Sequence, residues 1–188
     1  MNRKLTPVLL SLVLALILLA YLVERNNPAD RPSAGGRPRI LEVDESEIIR
    51  LRIKRDYWNS YALQRNPGGG WQLLEPSNEP AATPAAEHLV RAVAALPALR
   101  AIDLPAGNAE RYREYGLWTP ATELTVTTSA GDQTLLFGGH TPDQTGVYCL
   151  ISGRSRVYVT AAADADAVAI DPATLRAVGE TTFKPIAH

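Results

Sequence analysis

Ile49-Arg50-Leu51-Arg52-Ile53-Lys54 alternates apolar and basic residues without a break. A period of two sends successive side chains to opposite faces of an extended chain, so the stretch predicts a half-buried strand with Ile49, Leu51 and Ile53 inward. Its basic stripe, Arg50, Arg52 and Lys54, is a candidate surface for an anionic partner. A solvated sheet face, or pairing to acids on the next strand, is the plainer reading of the same residues.

Similar strands follow on the carboxyl-terminal side. Tyr57–Arg65 reads as a second strand with Tyr61 and Leu63 inward, and Asn66-Pro67-Gly68-Gly69-Gly70 as the turn that reverses it. Trp71-Gln72-Leu73 returns as a third, stopped by Pro76 and Pro80. Thr83 is expected to cap a helix with Pro84 at its first position. In that helix Leu89, Ala92, Val93 and Leu96 fall at i, i+3, i+4 and i+7 and form a core-facing stripe, with His88 off it. Leu99–Leu104 is a candidate strand. Asn108 can cap a short helix through Tyr115, and Gly116 suits the left-handed residue just past a helix end, with Leu117 folding back. The rest is strand-rich: Leu124–Thr127, a turn at Ala130-Gly131-Asp132, Thr134–Phe137, a loop over Gly138–Pro142, then Val147–Leu150 and Val157–Val159 joined by Ser152–Ser155. An alanine-rich weak helix follows Thr160, and Asp171-Pro172 starts another short one. Both halves repeat one plan of strand, glycine turn and strand, as a duplicated unit or a meander of hairpins would.

On the amino-terminal side, Ile40–Val43 reads as a short strand ended by the acidic turn Asp44–Glu47. Asn26–Arg39 carries three prolines and two glycines and reads as a solvated linker. Before it, Pro7–Val23 is apolar and free of charge, bracketed by Arg3, Lys4, Glu24 and Arg25. As a helix it would rise roughly 25 Å, at the short end of a bilayer span. Ala20-Tyr21-Leu22-Val23 offers no small-x-small cleavage site, so an uncleaved anchor is expected, with a cleaved signal peptide the rival. The flanking Lys and Arg residues are closely balanced and slightly favour the opposite side, but a long domain translocates largely regardless of its charge, so the amino terminus is expected inside and the domain outside. The expected organisation is an anchor over 1–25, a linker over 26–39 and one domain over 40–188. That domain is α+β, an antiparallel strand-rich fold built of hairpins with a few short helices.

Charge is unevenly spread. Residues 1–39 carry six Lys/Arg and two Asp/Glu, leaving thirteen basic and eighteen acidic residues, a net of −5, for the rest. An acidic domain argues against nucleic acid as a partner. Cys149, the single cysteine, permits no internal disulfide, and in an apolar strand it reads as a core residue. His88, His140 and His188 lack metal-ligand spacing, and His140 with Asp143 reads as a turn. Gly68-Gly69-Gly70 lacks the lysine of a phosphate loop, and Ser46, Ser60 and Ser152 sit in no nucleophile elbow. No catalytic residue, cofactor or metal is therefore expected. Trp58 and Trp118 are candidate contact residues; core packing is the alternative for each.

Three stretches carry a family likeness. Gly70-Trp71-Gln72-Leu73-Leu74-Glu75-Pro76 resembles a G-W-x-L-x-x-P segment before a helix. Tyr115-Gly116-Leu117-Trp118-Thr119-Pro120 resembles a Y-G-L-x-x-P corner. Phe137-Gly138-Gly139 through Val147-Tyr148, with Arg156-Val157-Tyr158-Val159, resembles closing G-x-x-x-P, Y and V-Y-x-V hairpins. Their order and spacing resemble the membrane-anchored domain of unknown function 4340 (DUF 4340), from whose longer members this sequence departs in showing a single copy of the unit. The resemblance implies an α+β domain outside the cytoplasmic membrane, often encoded beside ABC-type transporter subunits, and it supplies no catalytic residues. The expected function is a non-enzymatic, membrane-anchored accessory or scaffold subunit of a cell-envelope complex. An extracytoplasmic ligand- or glycan-binding module is the alternative, and a hydrolase acting through His140 or Cys149 the third.

Overall fold

The computed structural model describes residues 37–55, 60–104 and 109–176. Their framework is one antiparallel sheet of nine strands: β1 (Arg50–Lys54), β2 (Ser60–Arg65), β3 (Trp71–Glu75), β4 (Glu79–Pro80), β5 (Arg100–Asp103), β6 (Thr122–Thr128), β7 (Gly131–His140), β8 (Gly146–Ile151) and β9 (Arg156–Ala161). Across the sheet the order is β4-β3-β2-β1-β6-β7-β8-β9-β5. Two four-strand meanders, β1–β4 and β6–β9, thus lie side by side, joined where β1 pairs with β6. Each meander leads into a helix: α1 (Thr83–Ala94) after β4 and α3 (Ala162–Val168) after β9. A third helix, α2 (Ala109–Glu114), precedes the second meander.

Period-two patterning places the main core. Leu51 and Ile53 of β1, Tyr61 and Leu63 of β2, Trp71 and Leu73 of β3, Leu124 and Val126 of β6 and Leu135 and Phe137 of β7 are buried in one cluster. The stripe of α1 fills it from the helix side through Ala86, Leu89, Val90 and Val93, joined by Val168 of α3 and Leu175 of a final 3-10 turn. The expected strand-rich antiparallel domain with few helices is what the chain builds.

Four details differ from the sequence reading. Ile40–Val43 forms no strand: Ile40 donates to the Leu96 carbonyl at 2.9 Å, Arg39 bridges Pro97, and Ile40, Leu41 and Val43 are buried against the core. Their hydrophobicity reflects packing against other elements and not a ladder of their own. Ile49 is 44 % exposed, and Ile48 takes the core position instead, because the chain leaves the 3-10 turn Glu45–Glu47 at Ile48 and the alternation slips by one residue. Thr83 is the first residue of α1, not its cap; Ala82 precedes it in extended conformation and makes no side-chain cap bond. Gly138-Gly139 is part of β7, carried through to His140 by an irregularity in the pairing with β8.

Among the described residues no helix is long and apolar enough to cross a membrane. The 7–23 run, the linker as far as Gly36, Trp58 and His188 lie outside the described residues.

Candidate interaction site

The second meander has a core on each face. In β8, Val147 and Cys149 point to the main core, while Tyr148 and Leu150 point the other way and meet Val157 and Val159 of β9. Leu104 and Leu117 close this second cluster, with Tyr112, Tyr115 and Leu136 packed around it. Its cover is α2 and the corner that follows. Gly116 adopts φ +69°, as the end of a helix requires, and Leu117 turns back so that its N–H donates to the Tyr112 carbonyl at 2.7 Å. The corner is then fixed to the sheet through backbone: Gly139 N–H donates to the Tyr115 carbonyl at 2.8 Å. A Cβ at Gly116 would lie 2.6 Å from Gly139 N, and one at Gly138 would overlap the Tyr115 carbonyl oxygen. These glycines let two backbones approach where side chains would hold them apart. The Tyr115 and Tyr148 rings, with centroids 4.5 Å apart, complete the joint.

That joint holds Trp118 outward. Its side chain is 58 % exposed, the most exposed large hydrophobic among the described residues, and the Arg113 guanidinium lies 5.1 Å from the ring centroid. Beside it is an open recess of about 450 Å³ lined by Tyr112, Leu117, Trp118, Leu150, Gly153 and Arg154. A second recess of about 570 Å³ runs past Leu99, Arg100, Tyr148 and the Thr141–Gly146 loop. Sequence reading chose Trp118 but not Tyr112 or Arg154. The available signal was β8 itself, apolar at five successive positions, Val147 to Ile151, as a strand covered on both faces would be.

The basic stripe lies on the exposed face of the first meander, opposite the main core. Arg52 pairs with Glu75 at 2.7 Å, Lys54 with Glu123 at 3.7 Å, and Arg50 donates to Gln64 at 2.6 Å. The three cations are thus engaged across strands, in pairs worth at most about 1 kcal/mol each when exposed. Trp71 is in the core, with the Arg65 guanidinium 4.6 Å from its ring centroid.

Two of the groups with chemical potential, Cys149 and Asp143, are tied into structure. Cys149 is buried and its thiol is pushed up to about 12 by burial, slightly offset by a backbone hydrogen bond, so it stays protonated at neutral pH. Asp143 accepts from the Thr141 hydroxyl at 2.5 Å, the Thr145 hydroxyl at 2.8 Å and the Thr145 N–H at 3.2 Å. Those bonds, Thr141 first, hold its carboxyl below its ordinary range. The carboxylate builds the β7–β8 loop, where Gln144 takes φ +61°. His88 is exposed on α1. Among the described residues no three His, Cys, Asp or Glu side chains gather as a metal site would need.

The family model described as Domain of unknown function (DUF4340) matches residues 71–186, more than half of the chain. The chain belongs to that family. No curated protein and no solved structure matches it. The DUF4340 match opens at the first residue of β3, yet β1 and β2 lie between β3 and β6 in the sheet. The folded unit of this DUF4340 protein therefore reaches upstream of the matched segment. The corner Tyr115–Trp118 and the Gly138-Gly139 bulge both fall inside it.

Proposed function

We propose that the chain is a non-enzymatic accessory or scaffold subunit of a cell-envelope complex. In this reading 7–23 is an uncleaved anchor in the cytoplasmic membrane, 26–39 the linker, and 40–188 a domain on the extracytoplasmic side. An ABC-type transporter is the complex that the family resemblance implies. The observation that carries the reading is Trp118: a large aromatic held out to solvent on a corner fixed by backbone hydrogen bonds. Tryptophan and arginine are the residues that most often dominate protein interfaces, and a rigid corner loses little entropy on docking. It is supported by the commitment of Cys149, Asp143 and the basic stripe to the fold itself.

The test is co-purification of the tagged full-length chain from gently solubilised membranes, followed by mass spectrometry. Transporter subunits in stoichiometric amount are expected. A lone, monodisperse protein in several detergents would overturn the reading and favour the alternative, a ligand- or glycan-binding module using the same tryptophan.

A further inference from the structure

Resting on that reading, we infer that the recess between Trp118 and Arg154 is where the partner docks, and that its occupant is a peptide segment bearing an apolar side chain next to a carboxylate. Shape and charge both point there. Leu117, Leu150 and Tyr112 give the recess an apolar floor, and Trp118 forms an aromatic wall. Arg154 is the charged residue in the lining, and Arg113 stands over the tryptophan ring. Elsewhere on the domain Arg39, Arg52, Arg91, Arg156 and Arg176 are matched with Asp44, Glu75, Glu45, Asp103 and Glu79. Arg50 donates to Gln64 and Arg65 lies against Trp71, while Arg37, Arg55, Arg100 and Arg111 have no carboxylate within ion-pair distance among the described residues. Arg113 and Arg154 face no carboxylate within ion-pair distance among the described residues, although Glu110 and Glu114 share α2 with Arg113. In a domain with a net charge of −5, Arg113 and Arg154 place two guanidinium groups without an acid partner beside an exposed indole and an apolar floor. A carboxylate there would receive the planar, two-pronged contact that arginine offers, while its neighbouring side chain fills the recess beside Trp118.

The experiment follows the Trp118 indole N–H by nitrogen-15 NMR on the full-length chain in detergent micelles, assigned with Trp118→Phe. The probes are acetylated and amidated pentapeptides Gly-Leu-Asp-Asp-Gly and its isostere Gly-Leu-Asn-Asn-Gly, and a chitin hexasaccharide. A saturable shift with the acidic peptide is expected, at least about fivefold weaker with the isostere and weakened similarly by Arg154→Gln. Equal response to both peptides, no response to either, or a shift produced only by the sugar would overturn the inference. So would a shift that follows protein concentration alone, which would make a second copy the occupant. In parallel, Trp118→Ala/Arg154→Glu is carried through the co-purification, with circular dichroism confirming that it folds. Partners lost from the folded double variant but kept by the wild type support the inference. Partners kept by both overturn it and leave the accessory role standing, whereas partners absent from the wild type count against the accessory role itself.

Discussion

The β1–β4 and β6–β9 meanders run the same course, four antiparallel strands and then a helix laid on the same core, yet their other faces have opposite fates. On the first, Arg50, Arg52 and Lys54 alternate with the core residues, and the face stays wet, stitched by cross-strand pairs. On the second, Tyr148, Leu150, Val157 and Val159 occupy the outward positions, and α2 with its corner covers them. One backbone plan serves both outcomes, so the choice is made by the outward-pointing side chains. An apolar outward set creates a need for cover, and the cover brings Trp118 to the surface. The candidate site is thus a by-product of the second core.

Three experiments press on that contrast. The largest effect is expected at the joint that holds the cover. Gly138→Ala would drive a methyl group into the Tyr115 carbonyl and should cost about 3 kcal/mol in urea unfolding. Gly68→Ala, with nothing within 4 Å of the added Cβ, should be close to neutral; equal losses would mean that the corner does not rest on the bulge. Next come the two outer faces themselves. Leu150→Ala should cost about 2–4 kcal/mol, because it opens a cavity in the covered face. Arg52→Ala on the bare face should cost less than about 1 kcal/mol. Comparable values would erase the distinction between the faces. The smallest effect concerns the β7–β8 loop beside the covered face. Because the Asp143 carboxyl is held below its ordinary value, its ordering of the loop is complete above the unfolded range near pH 4 and is lost as pH falls through the lowered value. Exchange of the Thr145 amide should therefore stay slow at neutral pH and lose protection only in stronger acid; protection already gone at pH 5 would contradict the geometry.

Local chemistry made much of this legible from sequence. The alternation over Leu51–Lys54, the Asn66–Gly70 reversal, the α1 stripe and the left-handed Gly116 are each set by residues within a few positions of one another. What escaped depends on partners far away in the chain. Leu51 meets Val126 across the β1–β6 junction, a pairing that no period in the sequence encodes. Gly138-Gly139 reads as a loop because glycine pairs usually are one, and only the approach of the Tyr115 backbone explains them inside a strand. Ile40–Val43 has the hydrophobicity of a strand because it packs like one, without its hydrogen bonds. At the site, Trp118 stood out by type. Arg154 could not, since its relevance comes from a hairpin tip folding back beside α2.

The junction strand also has a mechanical meaning. Arg50–Lys54 is paired at all five positions with β2 on one edge and at all five with β6 on the other. Tension applied through the amino-terminal side first meets the bond from Ile40 to Leu96 and the buried Ile40 and Leu41. If that clasp yields, β1 can leave only by breaking two ladders at once, and its departure divides the sheet. Once the clasp has yielded, the domain therefore bears load at the centre of its sheet and not at an edge, and the sheet should give way in a single event.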